Sequence, residues 1–179
     1  MKKAIFLDRD GTIIMDRGYI NRVEDVSFYD FTFDSLRRLQ QDHLLFVATN
    51  QQGVAEGHIT TQQLKQVHDF ILDSLKREGV DIQEIYTCPH TKEDGCQCRK
   101  PSTYFSMEAK QKYGLDLASS YMLGDHISDV RFGLDSGMKG VFLLTGHGSR
   151  HYDEAKDLIS EDVKICRSLR TATDWILGD

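Results

Sequence analysis

The sequence predicts an α/β fold, a doubly wound parallel sheet covered by helices on both faces. Three observations carry this. Six short apolar runs rich in branched and aromatic residues recur along the chain, amphipathic stretches fill the intervals, and polar residues cluster just beyond several of the runs. Strands are expected at residues 4–7, 44–48, 82–87, 121–123, 140–144 and 163–166. Helices are expected at 31–41, 61–77, 104–113, 127–135 and 168–177, the second with Leu64, Val67, Phe70, Ile71 and Leu75 on its inner face. Gly79 and Gly114 follow two of these helices, where a left-handed residue ends a helix. In such a sheet, ligands gather beyond the carboxyl ends of the strands.

The 179 residues suffice for one domain with a substantial core. The same alternation runs throughout, with no internal repeat, low-complexity tract or linker. No apolar run approaches a membrane span and no leader is visible, so a soluble, cytoplasmic protein is expected, without a membrane partner and monomeric. A formal charge of -6 argues against a nucleic-acid partner, since the phosphate backbone rewards cations. Three of the four cysteines crowd into one stretch and are expected to be reduced thiols that favour a metal over disulfides. Cys166, alone in a strand-like run, is expected to be a small buried hydrophobe.

The polar strand ends carry the chemistry. The first gives Asp8 and Asp10, the second Thr49, Asn50 and Gln51, the third Arg99 and Lys100, the fourth Asp125 with Asp129 close behind. Converging carboxylates repel unless a cation lies among them, and hard oxygen ligands suit Mg²⁺. Lys100, Arg99 and the Thr49 hydroxyl are donors suited to phosphate oxygens. Metal, donors and a free carboxylate together describe phosphoryl transfer, with Asp8 as nucleophile and Asp10 as acid and base. Gly11 permits the sharp turn out of the strand. A calcium loop starting at Asp8 would need glycine at Ile13 and glutamate at Tyr19, and both are absent.

"DRDGT", "ATNQQG", "CRKP" and "GDHISD" resemble, in order, the motifs of the haloacid-dehalogenase-like phosphatases, over residues 4–146. The resemblance implies the corresponding fold, Asp8 as nucleophile and Asp10 as acid/base. It also implies magnesium held by the Asp8 carboxylate, the Asp10 backbone carbonyl and Asp125, with Asp129 in support, and a phosphoryl group held by Thr49 and Lys100. Only short loops stand where a cap domain would be inserted, so an open site is expected.

"CPHTKEDGCQCRKP" offers Cys88, His90, Cys96 and Cys98, three thiols and one imidazole that suit tetrahedral Zn²⁺. Four protein ligands leave no open position, so a structural zinc is expected, fixing Arg99 and Lys100 next to Cys98. Within the superfamily this loop is similar to two groups, the heptose 1,7-bisphosphate phosphatases and the histidinol-phosphate phosphatases. "DRGYI" and "TNQQGVAEG" follow the former more nearly, which implies a small sugar phosphate as substrate, removal of its 7-phosphate and a place in bacterial cell-surface heptose synthesis. By that likeness Asp16, Tyr19, Asn50, Gln51, Gln52, Arg99 and His126 contact the substrate. The chain departs from the pattern at Gln52, where the family commonly has Ser, at Glu56, where it has Arg, and at His126, where the two groups carry Lys or Arg. Another class, an idle sugar-phosphate binder on the same fold, is opposed by the complete catalytic set.

Overall fold

A computed structural model describes residues 1–178 of the chain. Strands β1 (Ala4–Leu7), β2 (Leu44–Asn50), β3 (Ile82–Cys88), β4 (Tyr121–Gly124), β5 (Lys139–Leu143) and β6 (Val163–Cys166) are each followed by a helix. These helices are α1 (Thr32–Leu39), α2 (Thr61–Arg77), α3 (Tyr104–Tyr113), α4 (Ile127–Asp135), α5 (Tyr152–Lys156) and α6 (Leu169–Leu177). The sheet is wholly parallel in the order β3-β2-β1-β4-β5-β6. Its order reverses at β1, which lies between β2 and β4, so a crevice opens beyond the ends of β1 and β4.

Alternation along the strands builds two main cores. Ile5, Leu7, Leu45 and Val47 face α1, α2 and α6, whereas Ala4, Phe6, Phe46 and Ala48 face α3 and α4. Phe6 stacks on Phe46 at 5.0 Å and meets the edge of Phe132 at 5.9 Å, which seals that face of β1. Each fully buried large side chain here contributes roughly 1.5–3 kcal/mol. Cys166 is buried in this interior, as expected.

Three differences from the sequence reading have local causes. Strands β2 and β3 run further than expected, because Thr49 pairs with Thr87 and Asn50 with Cys88, keeping the ladder intact up to the site. Phe70, expected on the inner face of α2, is 37% exposed. At 3.6 residues per turn it falls well off the stripe formed by Leu64, Val67, Ile71 and Leu75. Helix α5 was not expected, since its five residues, YDEAK, carry no apolar stripe.

Candidate active site

Asp8 follows β1 directly and extends the ladder, its N–H donating to the Leu123 carbonyl at 2.9 Å. Its carboxylate Oδ1 accepts from Lys100 Nζ at 2.6 Å. The same ammonium donates to Asp129 Oδ1 and to the Ala48 carbonyl, each at 2.6 Å, so all three of its protons are engaged. Burial works against the charge on Lys100, but Asp129 and Asp8 outweigh it and hold its pKa above the ordinary lysine value. Burial raises the Asp8 carboxyl, with Lys100 opposing the shift.

Asn50 fixes where Lys100 stands. Its Oδ1 accepts from the Lys100 N–H at 3.0 Å and its Nδ2 donates to the Lys100 carbonyl at 3.3 Å. The amide expected to touch substrate is therefore engaged with backbone, although Asn50 still lines the cleft.

Asp10 has a different setting. Arg9 Nε and Nη2 grip its two carboxylate oxygens at 3.0 Å each, and Gln51 Nε2 adds a bond at 2.8 Å. The other Gln51 amide proton goes to Thr49 Oγ1 at 2.9 Å. Thr49 is 1% exposed and lies behind the cleft wall, outside the lining. Burial and Asp8 raise the Asp10 carboxyl above its ordinary value against the pull of Arg9. The two aspartates of the motif thus stand in unlike environments, one held by an ammonium beside further acids and the other by a guanidinium.

Asp8, Asp125 and Asp129 bring one carboxylate oxygen each within 4.8 Å of one another. Burial, then Asp8 and Asp129, push Asp125 up to about 8, which marks a surplus of negative charge that a divalent cation would relieve. Two glycines keep the space open: a Cβ at Gly11 or Gly146 would stand 2.1 Å from Asp125 Oδ2. Asp125 is also held by the His147 N–H at 2.6 Å. The cap of α4 is His126, whose N–H donates to Asp129 Oδ2 at 3.0 Å.

The cysteine loop closes beside this cluster. Cys88, His90, Cys96 and Cys98 form a second group with ligand atoms within 4.8 Å of one another. Neighbouring pairs are 3.4 to 3.7 Å apart: Cys88–Cys96 at 3.5, Cys88–His90 at 3.7, Cys98–His90 at 3.4 and Cys98–Cys96 at 3.7 Å. Edges of about 3.5–3.8 Å are what a tetrahedron built on Zn–S of about 2.3 Å and Zn–N of about 2.0 Å requires. Although burial opposes it, the N–H groups of Cys98 and Arg99 and the Cys88 thiol draw Cys96 down to about 7, favouring the thiolate a metal binds.

These parts surround a cleft of about 480 Å³. Arg99, Gln52 and Tyr19 form its outer wall and are joined through Glu56, which is outside the lining: Arg99 Nη2 donates to Gln52 Oε1 at 2.7 Å, Gln52 Nε2 to Glu56 Oε1 at 3.0 Å, and the Tyr19 hydroxyl to Glu56. Tyr19 also stacks on His58 at 4.4 Å. Across the cleft, His126 and His151 have ring centres 5.3 Å apart, and His147 Nε2 meets Asp16 Oδ2 at 2.6 Å. Burial and His151 lower the pKa of His126, so its ring is neutral at pH 7. Its Nδ1 accepts from the Ser128 N–H, so the ring proton is on Nε2, and His126 lines the cleft.

The sequence reading missed Arg9, His68, Ser128, His147 and His151. His147 and His151 follow β5, and the strand-end rule that found Asp125 would have found them. Arg9 also stands at a strand end, between Asp8 and Asp10, but its partner His68, inside α2, had no such signal, because that pairing is set by packing.

A parallel sheet with an aspartate ending β1, a lysine bound to it and two further acids beyond β4 defines a haloacid-dehalogenase-like hydrolase. The comparisons agree. Residues 97–172 match the profile of the HAD-hydrolase-like family. The D-glycero-alpha-D-manno-heptose-1,7-bisphosphate 7-phosphatase of Campylobacter jejuni is 35% identical over 164 residues, covering 88% of this chain and 94% of that protein. The D-glycero-beta-D-manno-heptose-1,7-bisphosphate 7-phosphatase of Haemophilus influenzae is 34% identical over 183 residues, 95% of this chain and 100% of that protein. A crystal structure of D,D-heptose 1,7-bisphosphate phosphatase from B. bronchiseptica, complexed with magnesium and phosphate, superposes with a TM-score of 0.89 at 29% identity, over 98% of both chains. The chain belongs to the haloacid-dehalogenase-like hydrolases, in the family of these heptose bisphosphate phosphatases.

Proposed function

We propose that the chain is a magnesium-dependent phosphatase that removes the 7-phosphate of D-glycero-D-manno-heptose 1,7-bisphosphate through an aspartyl-phosphate on Asp8. The observation that carries the reading is the pairing of Asp8 with Lys100 at 2.6 Å within the triad of Asp8, Asp125 and Asp129.

The carboxylates of Asp8 and Asp125 and the backbone carbonyl of Asp10 would hold Mg²⁺, with Asp129 supporting. When bound, the ion supplies charge neutralisation for the phosphoryl oxygens. Lys100 takes one oxygen of Asp8 and leaves the other to attack phosphorus. As the bond from phosphorus to the sugar oxygen breaks, Asp10 gives that oxygen its proton. Asp10 then takes a proton from the water that attacks the acyl phosphate, which frees phosphate and restores Asp8. Arg99, Tyr19, Gln52 and His126 face the remainder of the sugar. Thr49 acts by fixing Gln51, and through it Asp10.

Cys88, His90, Cys96 and Cys98 would hold a structural zinc, a reading supported by their near-tetrahedral spacing. The histidinol-phosphate alternative has one observation in its favour: the Glu56 carboxylate, outside the cleft lining but held by the wall residues Tyr19 and Gln52, would accept from a substrate amine that reaches past them. The test is magnesium-dependent phosphate release, comparing kcat/KM for both anomers of heptose 1,7-bisphosphate with histidinol phosphate. A preference for a heptose anomer and an inactive Asp8→Asn variant are expected; hydrolysis unaffected by Asp8→Asn would end the reading.

A further inference from the structure

Arg9 takes no step in this chemistry, yet its side chain is fully buried and paired with Asp10. Such a guanidinium needs acceptors for its donors, and four of its five N–H groups have them. Three go forward, two to the Asp10 carboxylate and one to Gln51 Oε1 at 3.1 Å. The fourth, on Nη1, meets His68 Nε2 at 3.0 Å. His68 belongs to α2, lies outside the cleft lining and touches none of the reacting groups.

Because Nη1 can only donate, Nε2 of His68 must accept, and the ring is neutral with its proton on Nδ1. Burial, then the charge of Arg9, push the His68 pKa down to about 3, so this state persists at any physiological pH. A neutral acceptor suits the position, since a carboxylate there would draw the guanidinium away from Asp10.

We propose that His68 is a positioning residue for the general acid: by holding Nη1 of Arg9, it sets the fork that aims the Asp10 carboxyl at the leaving oxygen. The inference rests on the phosphatase reading and on Asp10 as the proton donor. It concerns only the first half of the reaction, in which the sugar alkoxide cannot depart without a proton.

The leaving group separates this role from a merely structural one. A 4-nitrophenolate leaves without protonation, a sugar alkoxide does not, and kcat/KM reports the steps through its departure. With the magnesium-loaded full chain, His68→Leu is expected to lower kcat/KM for the heptose bisphosphate about 30-fold and that for 4-nitrophenyl phosphate by less than about threefold. His68→Gln, whose Oε1 replaces Nε2 as acceptor, is expected to restore the sugar phosphate rate to within about threefold of the parent. His68→Asn, polar but one carbon shorter, should follow leucine and serves the comparison where the leucine variant does not fold. Equal losses on both substrates, no loss on either, or a glutamine variant as impaired as leucine would overturn the inference while leaving the phosphatase intact. A parent protein inactive on both substrates would overturn the underlying reading as well.

Discussion

Nζ of Lys100 lies 2.6 Å from Oδ1 of Asp8, across 92 residues of sequence. The lysine is 4% exposed and bridges to Asp129 at the same distance. One ammonium therefore holds the expected nucleophile and one of its neighbouring acids in register.

Removing that ammonium leaves two buried carboxylates facing each other. Lys100→Met is expected to lower kcat about 100-fold or more and to reduce stability by about 3 kcal/mol, since breaking a buried pair exposes the full desolvation cost of the partner. Phosphate release and the urea midpoint, measured on one preparation, check both. Unchanged kcat would show that Lys100 does not act on the nucleophile.

Gly11 adopts φ 78 and leaves room for Asp125, whose Oδ2 would lie 2.1 Å from an added Cβ. In Gly11→Ala the carboxylate must move. Magnesium should raise the melting temperature of the parent by mass action, and this increment should vanish in the variant, with activity falling about 10- to 100-fold. Differential scanning calorimetry with and without magnesium reads the first effect directly.

The thiols of Cys96 and Cys98 are 3.7 Å apart, and Arg99 and Lys100 follow at once. Cys96→Ser is expected to lower bound zinc and activity together, because the loop that aims Lys100 has little core of its own. Metal analysis beside the phosphatase assay tests the coupling. Full turnover in a zinc-free variant would refute it.

His68 also makes stability depend on pH. The unfolded chain protonates it near pH 6.5, whereas the folded protein resists protonation until about pH 3. Its contribution is therefore complete above pH 6.5 and is lost as pH falls from there towards 3, at about 1.4 kcal/mol per pH unit. Urea midpoints from pH 7 to pH 4 should fall less steeply for His68→Gln than for the parent. Parallel curves would place the histidine in solvent.

The strand and helix alternation, the strand-end acids Asp8, Asp10 and Asp125, and the Cys/His loop were legible because each depends on residues close in sequence or on the rule that sites gather at the carboxyl ends of parallel strands. Asp129 was legible as an acid near the site, though its bond to Lys100 was not.

The chain by itself determined which chemical groups are present and to which end of the sheet they go, since periodicity and strand order are written locally. Only the tertiary structure decided their partners: Asn50 spends its amide on the Lys100 backbone, Thr49 lies behind the wall, and His68 reaches Arg9 from α2 across 59 residues. Such pairings follow from which buried donors lack acceptors once helices pack on the sheet, and that need arises only when water has been excluded.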